Sequence, residues 1–211
     1  MQTDVEMMVF TIVVLILSVI VHEVAHGWAA NALGDPTAKL QGRLTLNPVP
    51  HIDPVGSVLI PGLLVLTNAG ILFGWAKPVP YNPYNLRNQR WGEAIVGVAG
   101  VAVNLLLAVV FAFIGRFALG SGFEEFALLS FTVAWVNLFL GLFNLIPFPP
   151  LDGFTVLRGL LPYRLSVGFR ELEGRLGGFT GLIIFLLLFS YVFSDPFFAF
   201  AQWVFGFLVG A

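Results

Sequence analysis

The chain has 211 residues, of which 58% are apolar and 10% charged, and its mean hydropathy is +0.91. A soluble domain carries about 25% charged residues, so the composition excludes a soluble globular fold and indicates a polytopic membrane protein. The formal net charge of −2, without a basic run, offers nothing to a nucleic acid, and the absence of cysteine excludes disulfides and thiolate metal sites.

The N-terminus does not read as a cleavable signal: it carries Asp4 and Glu6, and no Lys or Arg precedes Lys39. Segment A, 7–33, is a long apolar helix stopped by Gly34-Asp35-Pro36. Its only ionisable side chains are His22, Glu23 and His26, in the motif His22-Glu23-Val24-Ala25-His26. Such groups are costly in hydrocarbon and need a reason to be there. Residues four apart share a helix face, so His22 and His26 can grip one metal ion, and Glu23, about 100° further round, can reach a water on it.

Residues 37–54 are polar and turn-rich, and alternation of Leu40, Gly42, Leu44 and Leu46 with polar residues predicts a short strand at 40–46. His51 and Asp53 fall here and read as loop-turn residues. Segment B, 55–73, is apolar but broken by Pro61-Gly62, and 74–90 reads as an extended loop. Segment C, 94–115, and segment D, 126–147, carry no charge, while 148–177 is a loop with four arginines. Segments E, 178–194, and F, 197–210, are short and separated by Asp195-Pro196, so they span separately or merge through a kink. Asn104 and Asn137 read as packing polar groups, Trp28, Trp75 and Trp91 as interface residues, and the phenylalanines of D to F as lipid-facing or packing residues.

A catalytic zinc takes three protein ligands and a water. The motif supplies two, and His51, Asp53, Asp152 and loop glutamates are candidates for the third. Asp152 follows Pro147, Pro149 and Pro150, which unwind the chain so that it can turn back, and Gly153 permits a tight approach.

HEVAHG at 22–27, Gly100-x-x-x-Asn104 and NLIPFPPLDG at 144–153 together resemble the site-2 protease family of intramembrane zinc metalloproteases, over roughly residues 8–158, in a minimal form without a PDZ or CBS domain. One departure is Val101, where family members often have proline after the glycine. The resemblance implies one Zn2+ per chain held by His22, His26 and Asp152, Glu23 as catalytic base, and Asn144 as a polar residue holding substrate or the developing oxyanion. It implies an endopeptidase acting on the transmembrane segment of another membrane protein. A catalytically silent scaffold is disfavoured by the complete residue set, and a metal or ion transporter by the lack of ionisable groups in C, D and E.

For the ligands to meet, A and D must leave the membrane on the same side, which requires segment B, 55–73, to be re-entrant. The loops then sharing that side hold nine of the ten Lys and Arg residues, with only Arg116 opposite. Positive loops stay cytoplasmic, so the N-terminus is expected outside and the site near the cytoplasmic face of the cell membrane. The expected architecture is thus an all-α polytopic protein in one domain, 1–211. It has four to six transmembrane helices, short membrane-associated strands, a re-entrant segment and accessory hydrophobic segments at 178–210.

Overall fold

A computed structural model describes residues 2–66, 75–88, 91–176 and 178–210. Among the described residues the chain is helical and contains no strand. The helices are α1 (Gln2–Ala32), α2 (Thr37–Leu40), α3 (Ile60–Leu66), α4 (Gly92–Gly120), α5 (Glu124–Asn144), α6 (Asp152–Leu160), α7 (Tyr163–Leu176), α8 (Gly178–Leu188) and α9 (Ser194–Val209). Four stretches are long and apolar enough to cross a bilayer: Val5–Ala32, Gly92–Gly120, Glu124–Asn144 and Ile183–Val209. The protein is therefore an integral membrane protein.

Segments E and F run on as one helical stretch, of which Ile183–Val209 is long and apolar enough to cross a bilayer. A wide π-helical turn at Phe189–Phe193 joins α8 to α9. Pro196 cannot donate the helical bond to the preceding turn and its ring crowds the backbone there. The wide turn lies where that defect falls.

Helix α4 is the centre of the bundle, in contact with α1, α5, α6 and α9. Its buried face is a stripe of small residues that includes Gly100, Asn104, Ala108, Ala112 and Gly115. In hydrocarbon there is little apolar driving force between helices, so close backbone approach and dispersion hold them together. A β-carbon at Gly115 would meet the Phe131 ring, and one at Gly141 would meet Leu105, so each glycine seats a partner side chain. The aromatic residues of α5, α8 and α9 pack as well. Phe143, Phe185, Phe189 and Phe197 form edge-to-face pairs with centroids 5.3–5.4 Å apart. They enclose Leu151 and Phe148, so the C-terminal span buttresses the loop that leads to Asp152. Glu93 on α4 is buried against Arg158 of α6 and Arg170 of α7, and Arg158 also pairs with Glu173. This cluster fastens α6 and α7 to the start of α4.

The predicted strand at 40–46 does not form. Gly42 adopts φ +65° and Arg43 N–H donates to Ala38 O at 2.9 Å, closing α2 with a left-handed C-terminal cap. Leu40 and Leu46 are left exposed (81% and 62%), so the alternation marks no buried sheet face.

Residues 75–82 are extended and lie as a strap along α1. Arg43 donates to Lys77 O at 2.7 Å and to Pro78 O at 3.2 Å, and Lys77 N–H donates to His51 O at 2.8 Å. Asp35, fully buried after the Gly34 cap, accepts from Asn82 N–H at 2.6 Å, the Asn85 amide at 2.8 Å and the Thr37 hydroxyl at 2.6 Å. Burial pushes the Asp35 carboxyl up, but those bonds more than offset it and hold it below the usual carboxylate range. Segment B begins at the π-helical turn Pro54–Leu59 and α3, and its later part lies outside the described residues. Trp75 N–H donates to Gly56 O at 3.1 Å, and Ser57 Oγ donates to Trp75 O at 2.9 Å.

Candidate metal centre

His22 and His26 project from one face of α1 towards α4, with ring centroids 4.6 Å apart. Asp152 stands at the first position of α6, beyond a proline-rich turn that ends α5. Prolines 147, 149 and 150 cannot continue that helix. The turn bends so tightly that a β-carbon on Gly153 would collide with the carbonyls of Leu145 and Ile146. Only glycine allows the carboxylate to be aimed back at the histidines. Asp152 Oδ2 then lies 2.9 Å from His22 Nε2 and 3.2 Å from His26 Nε2, and the two Nε2 atoms are 3.0 Å apart. His51 and Asp53 are not in this group. His51 is buried with Nε2 donating to Thr45 O at 2.9 Å, and Asp53 caps the Pro54–Leu59 turn by accepting from Val55 and Gly56 N–H.

The hydrogen bonds around the rings determine what the cluster is suited to hold. His26 Nδ1 lies 2.7 Å from Val96 O, a group that only accepts, so Nδ1 carries the proton and Nε2 presents a lone pair. His22 Nδ1 lies 2.5 Å from Asn104 Oδ1 and is protonated for the same reason. Two imidazole lone pairs and a carboxylate oxygen thus converge on one buried point, and Asp152 Oδ2 receives no hydrogen bond. A single proton would relieve one pair and leave the third donor facing another lone pair. A cation relieves all three. Donors around a zinc at about 2.0–2.1 Å lie ~3.3 Å apart in tetrahedral geometry, and the observed triangle is within a few tenths of an ångström of that. The residues fit a zinc ion.

The site opens on a cavity of about 580 Å³ lined by His22, Glu23, His26, Asn144, Asp152 and the strap residues Trp75, Val79 and Tyr81. Glu23 Oε2 accepts from Val79 N–H at 2.7 Å, so the strap orients this carboxylate. Asn144 lines the cavity while its Nδ2 donates to Leu140 O at 3.0 Å. An extended peptide can pair with an extended segment by adding to it as a strand, but the strap has few amides open to one. The amides of Trp75, Lys77 and Val79 are committed within the protein, and Pro78 and Pro80 have none.

Three contributions escaped the reading of the sequence. Asn104, whose place in an apolar helix marks it as a packing group, holds His22. Gly100 faces both rings so closely that a β-carbon would strike His26 and His22. Val96 O holds His26. The available signal was the spacing of Val96, Gly100 and Asn104, four apart on one face of α4.

A bundle of membrane-spanning helices that turns two histidines and a carboxylate inward onto one point belongs to the class of integral membrane proteins whose core has the donor set for a metal ion. Within that class, comparison with known proteins is specific. Residues 121–188, which include Asn144 and Asp152, match the model of Peptidase family M50. The chain is 41% identical over 194 residues to "Putative zinc metalloprotease YwhC" of Bacillus subtilis, covering 87% of this chain and 81% of that protein. It is 30% identical over 201 residues to "Putative zinc metalloprotease Rip2" of Mycolicibacterium smegmatis, covering 91% and 71%. It is 28% identical over 149 residues to "Zinc metalloprotease MJ0392" of Methanocaldococcus jannaschii, covering 71% and 33%. No solved structure matches the chain. The chain belongs to peptidase family M50, the family of the site-2 proteases.

Proposed function

We propose that this protein is a zinc-dependent intramembrane endopeptidase that hydrolyses a peptide bond in the transmembrane segment of another membrane protein. The observation that carries this reading is the convergence of His22 Nε2, His26 Nε2 and Asp152 Oδ2, at 2.9–3.2 Å, beside Glu23 in a cavity among apolar helices. These three residues would hold one zinc ion. When bound, zinc supplies Lewis-acid chemistry, acidifying a water and polarising a carbonyl. Glu23 Oε2 is held by Val79 N–H, leaving Oε1 to take a proton from the attacking water. The water oxygen bonds to the scissile carbon, the C–N bond breaks, and Glu23 returns the proton to the leaving amine nitrogen. Asn144 retains Oδ1 and one Nδ2 hydrogen for the substrate backbone. A transmembrane helix hides its carbonyls in its own hydrogen bonds, so the substrate must unwind locally before attack.

The test is cleavage of a single-span substrate by the protein reconstituted in bilayer nanodiscs, with product termini mapped by mass spectrometry. Cleavage within or at the edge of the apolar span is expected. Cuts confined to a soluble loop would overturn the intramembrane reading.

We further propose that segment B is re-entrant, that the N-terminus is outside and that the site opens near the cytoplasmic face. His26 near the end of α1 meets Val96 near the start of α4, and two helix ends at one level support the reading that the chain between them returns to the side it left. The bond between Trp75 and Gly56 supports the same reading. The chain has no cysteine, so Tyr84→Cys provides a single label site in the turn Pro83–Asn85 that follows the strap, where Tyr84 is exposed. An impermeant thiol reagent should label it from the cytosolic side only. Labelling from outside intact cells would refute this topology.

A further inference from the structure

We infer that Asn104 is a positioning residue that fixes the orientation and tautomer of His22, and that its own amide is oriented, through Asn137, by a main-chain carbonyl of α5. This inference rests on the assignment of His22 as a metal ligand.

The chain of contacts has a direction. Val133 O can only accept, so the Asn137 group 3.0 Å from it is the Nδ2 amide, which also donates to Ser18 Oγ at 2.9 Å. Asn137 Oδ1 therefore faces Asn104, which donates to it through Nδ2 at 2.8 Å. Asn104 Oδ1 is then turned to His22 and accepts from its Nδ1 at 2.5 Å. His22 can have only one neutral tautomer in this setting, with its Nε2 lone pair aimed at the metal point. Asn104 and Asn137 are fully buried, and Ser18 nearly so. Polar side chains at such depth are costly unless paired, and here the closest pairings run from α5 through Asn137 and Asn104 to the ring, with a longer contact from Asn104 Nδ2 to Ser18 O of α1 at 3.5 Å. His26 is oriented independently, by Val96 O. Second-layer partners of metal-bound histidine typically matter by ten- to hundredfold in metal affinity.

The substitution that separates positioning from packing is Asn104→Leu, matched in size but without an acceptor, set beside Asn104→Asp, which keeps an oxygen at the Oδ1 position. The probes are zinc affinity by chelator competition and ring nitrogen resonances of 15N-labelled histidine, measured on the full zinc-loaded chain in nanodiscs. The chain has only three histidines, and His51→Gln assigns the third. In Asn104→Leu the slowly exchanging Nδ1–H of His22 should be lost while that of His26 persists, and zinc affinity should fall about ten- to hundredfold. Asn104→Asp should retain the His22 signal and most of the affinity. Asn137→Leu should speed exchange at His22 and leave His26 unchanged.

A packing role would give the opposite order, with leucine tolerated and aspartate damaging, and that order would overturn the inference. An unchanged His22 signal in Asn137→Leu would overturn the relay through α5. Should Asn104→Leu lose both ring signals, Asn104→Asp decides: a retained His22 signal supports positioning and a lost one refutes it. Failure of the ligand assignment is distinguishable, because His22→Ala would then retain its zinc.

Discussion

Replacing Glu23 with glutamine is expected to lower peptide cleavage by about 10²–10⁴-fold while leaving zinc content at one ion per chain. Glutamine keeps the shape of the side chain and an oxygen that can accept from Val79 N–H, so the strap should stay in place. What it loses is the ability to take a proton from water and return it to the departing amine. Glu23 contributes no atom to the cluster of His22, His26 and Asp152, so metal affinity should be nearly unchanged. Cleavage and zinc are to be measured on the same preparation. Undiminished cleavage would remove Glu23 from its role as base, and parallel loss of zinc would reassign it to the metal.

The second large effect is expected at Gly100, a residue with no functional group. A β-carbon there would overlap the imidazoles of His26 and His22. Both rings are tethered at Nδ1, to Val96 O and Asn104 Oδ1, so neither can retreat without losing a hydrogen bond. Relief must come from tilting the rings away from Asp152 or from moving α1 off α4. Gly100→Ala should therefore weaken zinc binding by at least tenfold and abolish most cleavage, in line with the cost of disturbing the partners of metal-bound histidine. Chelator competition reads this directly. Zinc affinity within twofold of wild type would mean that the rings do not need this space.

The apolar runs of α1, α4 and α5 were legible because a bilayer demands some 20 predominantly apolar residues. The motif was legible because three ionisable groups stood alone in such a run. The fusion of 178–194 with 197–210 was open to two readings, because Asp195-Pro196 looks the same whether it ends a helix or kinks one. The alternation at 40–46 misled because exposed leucines in a turn share the period of a half-buried strand, and Gly42 at positive φ breaks the pattern. Asn104 was hidden by its chemistry: an amide in a membrane helix has the same appearance whether it bonds a neighbouring helix or a metal-site histidine. Its role depends on α1 and α4 meeting at His22, a contact between residues 82 positions apart. The strap depends likewise on Asp35, Arg43 and Glu23, which are scattered along the first 43 residues.

The central claim is that two imidazoles from α1 and the carboxylate at the start of α6 hold one zinc ion. X-ray absorption at the zinc edge, on the purified full chain in nanodiscs, tests it most directly. The expected result is one zinc per chain with two imidazole nitrogens and oxygen donors for the remainder, reduced to trace zinc in Asp152→Ala. A spectrum with fewer than two imidazole ligands, or full and spectroscopically unchanged zinc in Asp152→Ala, would contradict it.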